Sequence, residues 1–182
     1  MTVVTKPKLS HFGLYVRDLD RMVKFYTLLF GLQVTDRGEG AVFKNKLVFL
    51  SADPNAHHQL VLASGRPDDA TFSTVMQISF KVQMIQELRA IRTDAIALGA
   101  SNMRGIDHGA SLSIYFSDPE GNTVESYLDT AYYISQPHAG RLNFDLTDDE
   151  INIENESRCR ADPTFLPKSE WQARFIAGMG DA

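Results

Sequence analysis

The sequence predicts an α+β fold of two βαβββ modules, forming a curved mixed-sheet cleft. Three observations predict it. The order strand, helix, strand, strand, strand occurs twice at a spacing of roughly 65 residues, although the halves share almost no residue identity. Each half opens on a run in which apolar and polar residues alternate, the period of a strand with one packed face. Each following helix carries its apolar residues at helical spacing and stops at a glycine.

In the first module, about residues 8–64, the opening strand is His11–Val16, with Phe12, Leu14 and Val16 on one face and His11, Gly13 and Tyr15 on the other. Asp18 and Asp20 can cap a helix whose apolar face is Met22, Phe25, Tyr26 and Leu29, and Gly31 ends it. Leu32–Thr35 and Val42–Leu50 read as strands, and the turn Ser51–Asn55 leads to a strand over His57–Leu62. The second module, about residues 74–130, repeats this order. Met76–Val82 alternates Ile78, Phe80 and Val82 with Gln77, Ser79 and Lys81. Ile85, Leu88, Ile91, Ala95 and Leu98 form a helix face before Gly99, and the strands Asn102–Ile106, Leu112–Phe116 and Asn122–Tyr127 follow. The two modules make a domain over residues 1–132. Residues 133–182 break the pattern and read as an extension packed on that domain or on a partner subunit. In it, Asp145–Glu156 reads as an acidic surface loop, and Ser169-Glu-Trp-Gln172 has the spacing of a capping box ahead of a short helix with Trp171 and Phe175 one turn apart.

Composition narrows the function classes. With 182 residues, 43% of them hydrophobic, the chain can bury a core without disulfides. A net charge of −5 argues against nucleic acid or an anionic membrane as partner, because phosphate binding needs clustered Lys and Arg. The single Cys159 suits a reducing compartment, Met1–Ser10 lacks the apolar core of a secretory signal, and no window is apolar for the ~20 residues of a membrane span. A cytoplasmic protein acting on a small molecule is expected, as a homo-oligomer.

The residues that could carry chemistry stand out by parity. His11 lies opposite Phe12 and Leu14, Gln77 holds the matching place in the second module, and Glu125 lies opposite Val124 with Thr123 and Tyr127. A carboxylate in a cleft is costly unless a cation or strong donors face it. A lone strand histidine is more often a hydrogen-bonded packing residue than a ligand, so the weight rests on these places recurring together.

Three segments carry a resemblance: His11-Phe-Gly-Leu-Tyr-Val16, Asp53-Pro-Asn-Ala-His-His-Gln-Leu-Val-Leu62 and Tyr115-Phe-Ser-Asp-Pro-Glu-Gly-Asn-Thr-Val-Glu125. Over about residues 8–135 the chain resembles the vicinal oxygen chelate superfamily of glyoxalases, bleomycin-resistance proteins and extradiol dioxygenases. It is most similar to small single-domain type I extradiol ring-cleavage enzymes. The resemblance implies a metal held by His11, Gln77 and Glu125, with Gln77 standing where the dioxygenases have a second histidine. It implies His58 as an acid–base group and His108 and Tyr115 as groups that hydrogen-bond the bound diol. By strand alternation His57, beside His58, is expected to face away.

Fe(II) is the metal implied first, with Mn, Ni or Zn open, and a catechol-like or dihydroxybiphenyl-like diol and O2 are the implied substrates. Two alternatives stay open. A glyoxalase-type isomerase, epimerase or lyase accommodates the neutral Gln77 ligand readily. A metal-free resistance protein would instead sequester an aromatic compound in an apolar cleft.

Overall fold

The computed structural model describes residues 8–178, so most of the N-terminal segment read for a secretory signal lies outside them. The chain forms two compact units, Met1–Val75 and Met76–Ala182.

The first unit runs β1 (Phe12–Val16), α1 (Leu19–Phe30), β2 (Gln33–Glu39), β3 (Lys46–Ser51) and β4 (Leu60–Ser64). The sheet order is β1-β4-β3-β2, with β1 parallel to β4 and the other neighbours antiparallel. Leu14 and Val16, Val48 and Leu50, and Leu60 and Leu62 are buried, as are Met22, Val23, Phe25 and Tyr26 of α1. Each such side chain contributes about 1.5–3 kcal/mol by leaving water. Asp18 accepts from the amide of Arg21 at 2.9 Å and caps α1, and Gly31 ends it at φ 65°, a conformation that favours glycine. Two boundaries differ from expectation. Val42 and Phe43, expected to begin a strand, lie in the β2–β3 turn closed by the Gly40 amide on the Asn45 carbonyl at 2.8 Å, and each is 79% exposed. The last strand starts at Leu60, so His57 and His58 lie before it.

The second unit repeats the order as β5 (Ile78–Lys81), α2 (Ile85–Ala97), β6 (Ser101–Asp107), β7 (Ser111–Ser117) and β8 (Thr123–Asp129). Ile78, Ile114, Phe116 and Val124 are buried, as are Ile85, Leu88 and Ala95 of α2. The turn between β7 and β8 is closed by Asp118, whose carboxylate accepts the amides of Glu120 and Asn122 at 2.9 Å each and the Asn122 side chain at 2.8 Å. Gly121 in that turn has φ 84°, so the Asp-Pro-Glu-Gly-Asn run acts as a register device that sets Glu125 opposite Tyr115.

The chain continues in this unit as β9 (Tyr132–Tyr133), β10 (Gly140–Arg141), α3 (Asp148–Ala161), β11 (Leu166–Pro167) and α4 (Lys168–Ile176). The five-stranded sheet has the order β10-β6-β7-β8-β5, and β9 pairs with β11. The expected loop over Asp145–Glu156 is therefore corrected, because most of it lies in α3. A true capping box starts that helix: the Thr147 hydroxyl accepts the Glu150 amide while Glu150 accepts from the Thr147 amide at 2.8 Å. The capping box expected at Ser169 is not formed. The helix begins at Lys168, with Pro167 at the N-cap, two residues before the expected cap, and no side-chain cap. Trp171 stacks on Phe175 at 5.6 Å, as its spacing predicted, and on Tyr133 at 5.5 Å. Gln86 and Arg89 of α2 bond Asp148 at the start of α3, and buried Asp107 on β6 binds Asn155 and Arg158 of α3.

Candidate active site

In the second unit the chemistry-bearing residues gather on the sheet face away from α2. Strand pairing puts Ser79 of β5 and Tyr115 of β7 directly beside Glu125 of β8, one from each flank. Gln77 sits one residue before β5. Glu125 is 6% exposed, and its carboxylate accepts from Gln77 Nε2 at 2.8 Å, Ser79 Oγ at 2.6 Å and Ser113 Oγ at 2.8 Å. These three partners are neutral donors. Among the described residues no cation pairs with this buried carboxylate, an environment that a metal ion would complete. The Gln77 amide nitrogen is turned to Glu125, which leaves its carboxamide oxygen as the atom able to ligate. Among the described residues no three His, Cys, Asp or Glu side chains cluster closely enough to hold a metal, so a metal at Glu125 would need neutral oxygen donors such as Gln77.

Tyr115 links this carboxylate to a histidine. Burial pushes its phenol pKa far up, and the Glu125 hydrogen bond and negative charge push further, against smaller opposing effects of Gln77 and Arg104. The Arg104 guanidinium lies over the Tyr115 ring at 5.7 Å. The Tyr115 hydroxyl is 3.1 Å from His108 Nε2, and His108 Nδ1 is 2.6 Å from the backbone carbonyl of His138. A carbonyl can only accept, so Nδ1 carries the proton. In the neutral ring Nε2 is then a bare acceptor aimed at Tyr115. The hydroxyl has a single proton, which Glu125 and Nε2 both face, and the raised pKa keeps that proton on Tyr115.

The first unit holds the other named histidines. His11 precedes β1, and its ring centroid is 4.1 Å from that of His58. His58 also lies 5.1 Å from Phe49, which alternates with buried Val48 and Leu50, so the three rings share the face away from α1. Burial lowers the His58 pKa, and the neighbouring charges of His11 and His57 lower it further, favouring the neutral ring. His57 departs from expectation. Its Nδ1 is 2.9 Å from Nδ1 of His58, its Nε2 is 3.6 Å from Asp36, and its ring lies 5.7 Å from Phe49. Strand alternation does not apply, because both residues precede the strand, and the two rings meet instead of facing apart.

The structure thus brings Gln77, Glu125, Tyr115 and His108 into one cluster of the second unit, and His11 and His58 into one cluster of the first. Sequence reasoning missed Ser113 and Ser79 as donors to Glu125, although both share the parity of the site face. It also missed the His138 carbonyl, for which the sequence carries no signal.

Two relatives match about two thirds of the chain. Catechol-2,3-dioxygenase of Bacillus subtilis (strain 168) is 29% identical over 126 residues, 66% of this chain and 42% of that protein. Biphenyl-2,3-diol 1,2-dioxygenase 3 of Rhodococcus globerulus is 29% identical over 135 residues, 71% of this chain and 66% of that protein. The chain thus spans less than two thirds of the length of either. Among solved structures, a glyoxylase/bleomycin resistance protein/dioxygenase domain from Frankia sp. EAN1pec aligns with TM-score 0.58 at 22% identity, covering 69% of this chain and 100% of that one. The fosfomycin resistance protein FosX of Listeria monocytogenes, complexed with Mn(II) and sulfate, aligns with TM-score 0.54 at 24% identity, covering 69% and 95%. These two likenesses show the fold, which is the vicinal oxygen chelate fold. The sequence model of the glyoxalase/bleomycin resistance protein/dioxygenase superfamily matches residues 8–126, from ahead of β1 into β8, and the chain belongs to that superfamily.

Proposed function

We propose that the chain is a metal-dependent extradiol dioxygenase that opens the ring of a catechol-like or dihydroxybiphenyl-like diol. The observation that carries the reading is the buried Glu125 carboxylate joined through Tyr115 to an oriented His108. His11, Gln77 and Glu125 are the proposed ligands, with Fe(II) as the metal. A bound Fe(II) supplies chelation of the vicinal oxygens, lowers their pKa and exchanges electrons with O2. Both atoms of O2 enter the product as the ring C–C bond beside the diol breaks, so no external reductant is needed. The residues of the chain manage protons and position. Tyr115, held in its protonated form, presents its hydroxyl to a substrate oxygen, and His108 orients that hydroxyl through Nε2. His58, held toward the neutral form, is the proposed base for a diol proton.

A second reading has one observation in its favour. Gln77, beside Glu125, is a neutral ligand of the kind that suits Lewis-acid chemistry with Mn, Ni or Zn, in an isomerase, epimerase or lyase.

The test is anaerobic purification, metal analysis and oxygen uptake over a diol panel. The Fe(II)-loaded protein should consume one O2 per diol and form a yellow product. His58→Ala should keep its iron and lose about 10²–10⁴-fold in turnover. Gln77→His should bind iron more tightly. Iron-loaded Gln77→His that takes up no oxygen with any diol would move the assignment to the isomerase class, or to a metal-free binder if wild type takes no metal.

A further inference from the structure

The segment after β9 belongs to the C-terminal stretch that follows the two βαβββ repeats, yet it reaches the candidate site. The His138 carbonyl accepts from His108 Nδ1 at 2.6 Å. The carboxamide of Gln136 spans the same two residues: its Nε2 donates to the His108 carbonyl at 2.8 Å and its Oε1 accepts from the His138 amide at 3.0 Å. A weaker contact at 3.3 Å runs from Nε2 to the Ile134 carbonyl. One side chain therefore holds the backbone of the histidine and the backbone of the group that sets its tautomer. The segment is anchored on both sides, by the Ser135 amide on Thr164 Oγ1 at 2.8 Å and by the β10–β6 pairing of Gly140 with Asp107.

We propose that Gln136 is a positioning residue that fixes His108 as the Nδ1–H tautomer, so that residues after the repeats form a working part of the site. Gln136 touches no reacting atom in this reading and acts through His108. The chemistry favours an amide here. One group must accept from an N–H and donate to a carbonyl at once, which a carboxamide does and neither a carboxylate nor an aliphatic side chain can. Without that brace the His138 carbonyl can swing off Nδ1. The neutral ring is then free to carry its proton on Nε2, where it faces the Tyr115 hydroxyl as a donor and can no longer accept from it. The catalytic consequence rests on the dioxygenase reading, whereas the tautomer assignment does not.

The experiment is side-chain ¹H–¹⁵N correlation spectroscopy of the histidines at a pH of about 8.5, where an ordinary imidazole is neutral. His108→Gln identifies the His108 signals by their loss. Wild type should show Nδ1 in the protonated range and Nε2 in the unprotonated range. Gln136→Ala should mix or reverse the two. Gln136→Glu, which keeps the bond from the His138 amide but loses the donation to His108, should fall between. His138→Ala should leave the wild-type pattern, because the acceptor is a backbone carbonyl. Oxygen uptake should show Gln136→Ala with kcat at least about tenfold lower and KM little changed, since the orientation of the Tyr115 hydroxyl alone is impaired. A wild-type tautomer in folded Gln136→Ala overturns the proposal. If that variant does not fold, a wild-type pattern in Gln136→Glu, or a shifted one in His138→Ala, overturns it equally. A correct tautomer shift without oxygen uptake by wild type on any diol instead removes the dioxygenase reading and leaves this one standing.

Discussion

Asp107→Ala is the perturbation that most directly tests how α3 is held. Asp107 is 2% exposed at the end of β6, and its carboxylate accepts from three groups: the Gly109 amide at 2.7 Å, Asn155 Nδ2 at 2.9 Å and the Arg158 guanidinium. Two of these donors sit in buried bonds, and Asn155 itself is 2% exposed, although its amide keeps a second bond to the Gly109 carbonyl at 3.0 Å. A buried donor left without its acceptor costs about 1–3 kcal/mol. The Arg158 side chain is 29% exposed, so water partly replaces its partner and that share is discounted. The sum is a loss of about 3–5 kcal/mol, the range found when one member of a buried charged pair is removed. In a chain of this size each kcal/mol lowers Tm by about 2–4 °C, so Tm should fall by roughly 6–20 °C. Asp107→Asn, which keeps an acceptor for Gly109 or Asn155, should lose less than half of that. Urea unfolding at constant m gives the free energies directly. A loss below about 1 kcal/mol for Asp107→Ala would refute the reasoning, because it would mean that α3 docks without this carboxylate.

Two further outcomes follow from named groups. Cys159 is fully buried on α3, where burial, and then the charge of Asp107, push its thiol pKa up to about 11. Roughly one thiol in a thousand is therefore ionised at pH 8, and alkylation should be slow in the native protein and accelerate in Asp107→Ala; equal rates in the two would contradict the docking scheme. Asp129 is pulled two ways. Burial raises its pKa, but hydrogen bonds and charges from Lys168 and Lys81 outweigh it and hold the carboxyl below its ordinary range. A depressed folded pKa means that its contribution is present above about pH 4 and is lost as pH falls through the folded value. Since Lys168 opens α4, the fluorescence of Trp171, the only tryptophan, should report an acid step below about pH 4 that Asp129→Asn lacks.

Most of the fold was legible because the repeated order rests on long-lived signals. Leu14, Val16, Leu60 and Leu62 alternate as a half-buried strand must, and Asp18 and Gly31 bracket α1 with chemistry that few other residues supply. Helix α3 was not legible from periodicity. Its buried line is Ile151, Asn155 and Cys159, and a buried asparagine in the middle erases the apolar stripe, although Thr147-Asp-Asp-Glu150 carried the cap signature that would have found it. The same asparagine explains the helix's place, since its amide is what Asp107 requires.

The site divides along a similar line. Glu125, Tyr115 and Gln77 were legible because strand parity and the Asp-Pro-Glu-Gly-Asn turn fix which face and which register they take. His57 was misplaced because alternation was extended back before the start of β4, into a stretch where the backbone is free to turn both rings together. The tautomer of His108 was beyond sequence altogether. It depends on a backbone carbonyl thirty residues away, and a carbonyl belongs to every residue, so no residue type at position 138 could announce it. What the sequence does hold is Gln136, whose carboxamide can accept and donate at once. The proton position on His108 is thus set by an amide two residues from the carbonyl that decides it. Substitutions at 136, where the side chain is exposed, should therefore move the site's chemistry more than its stability.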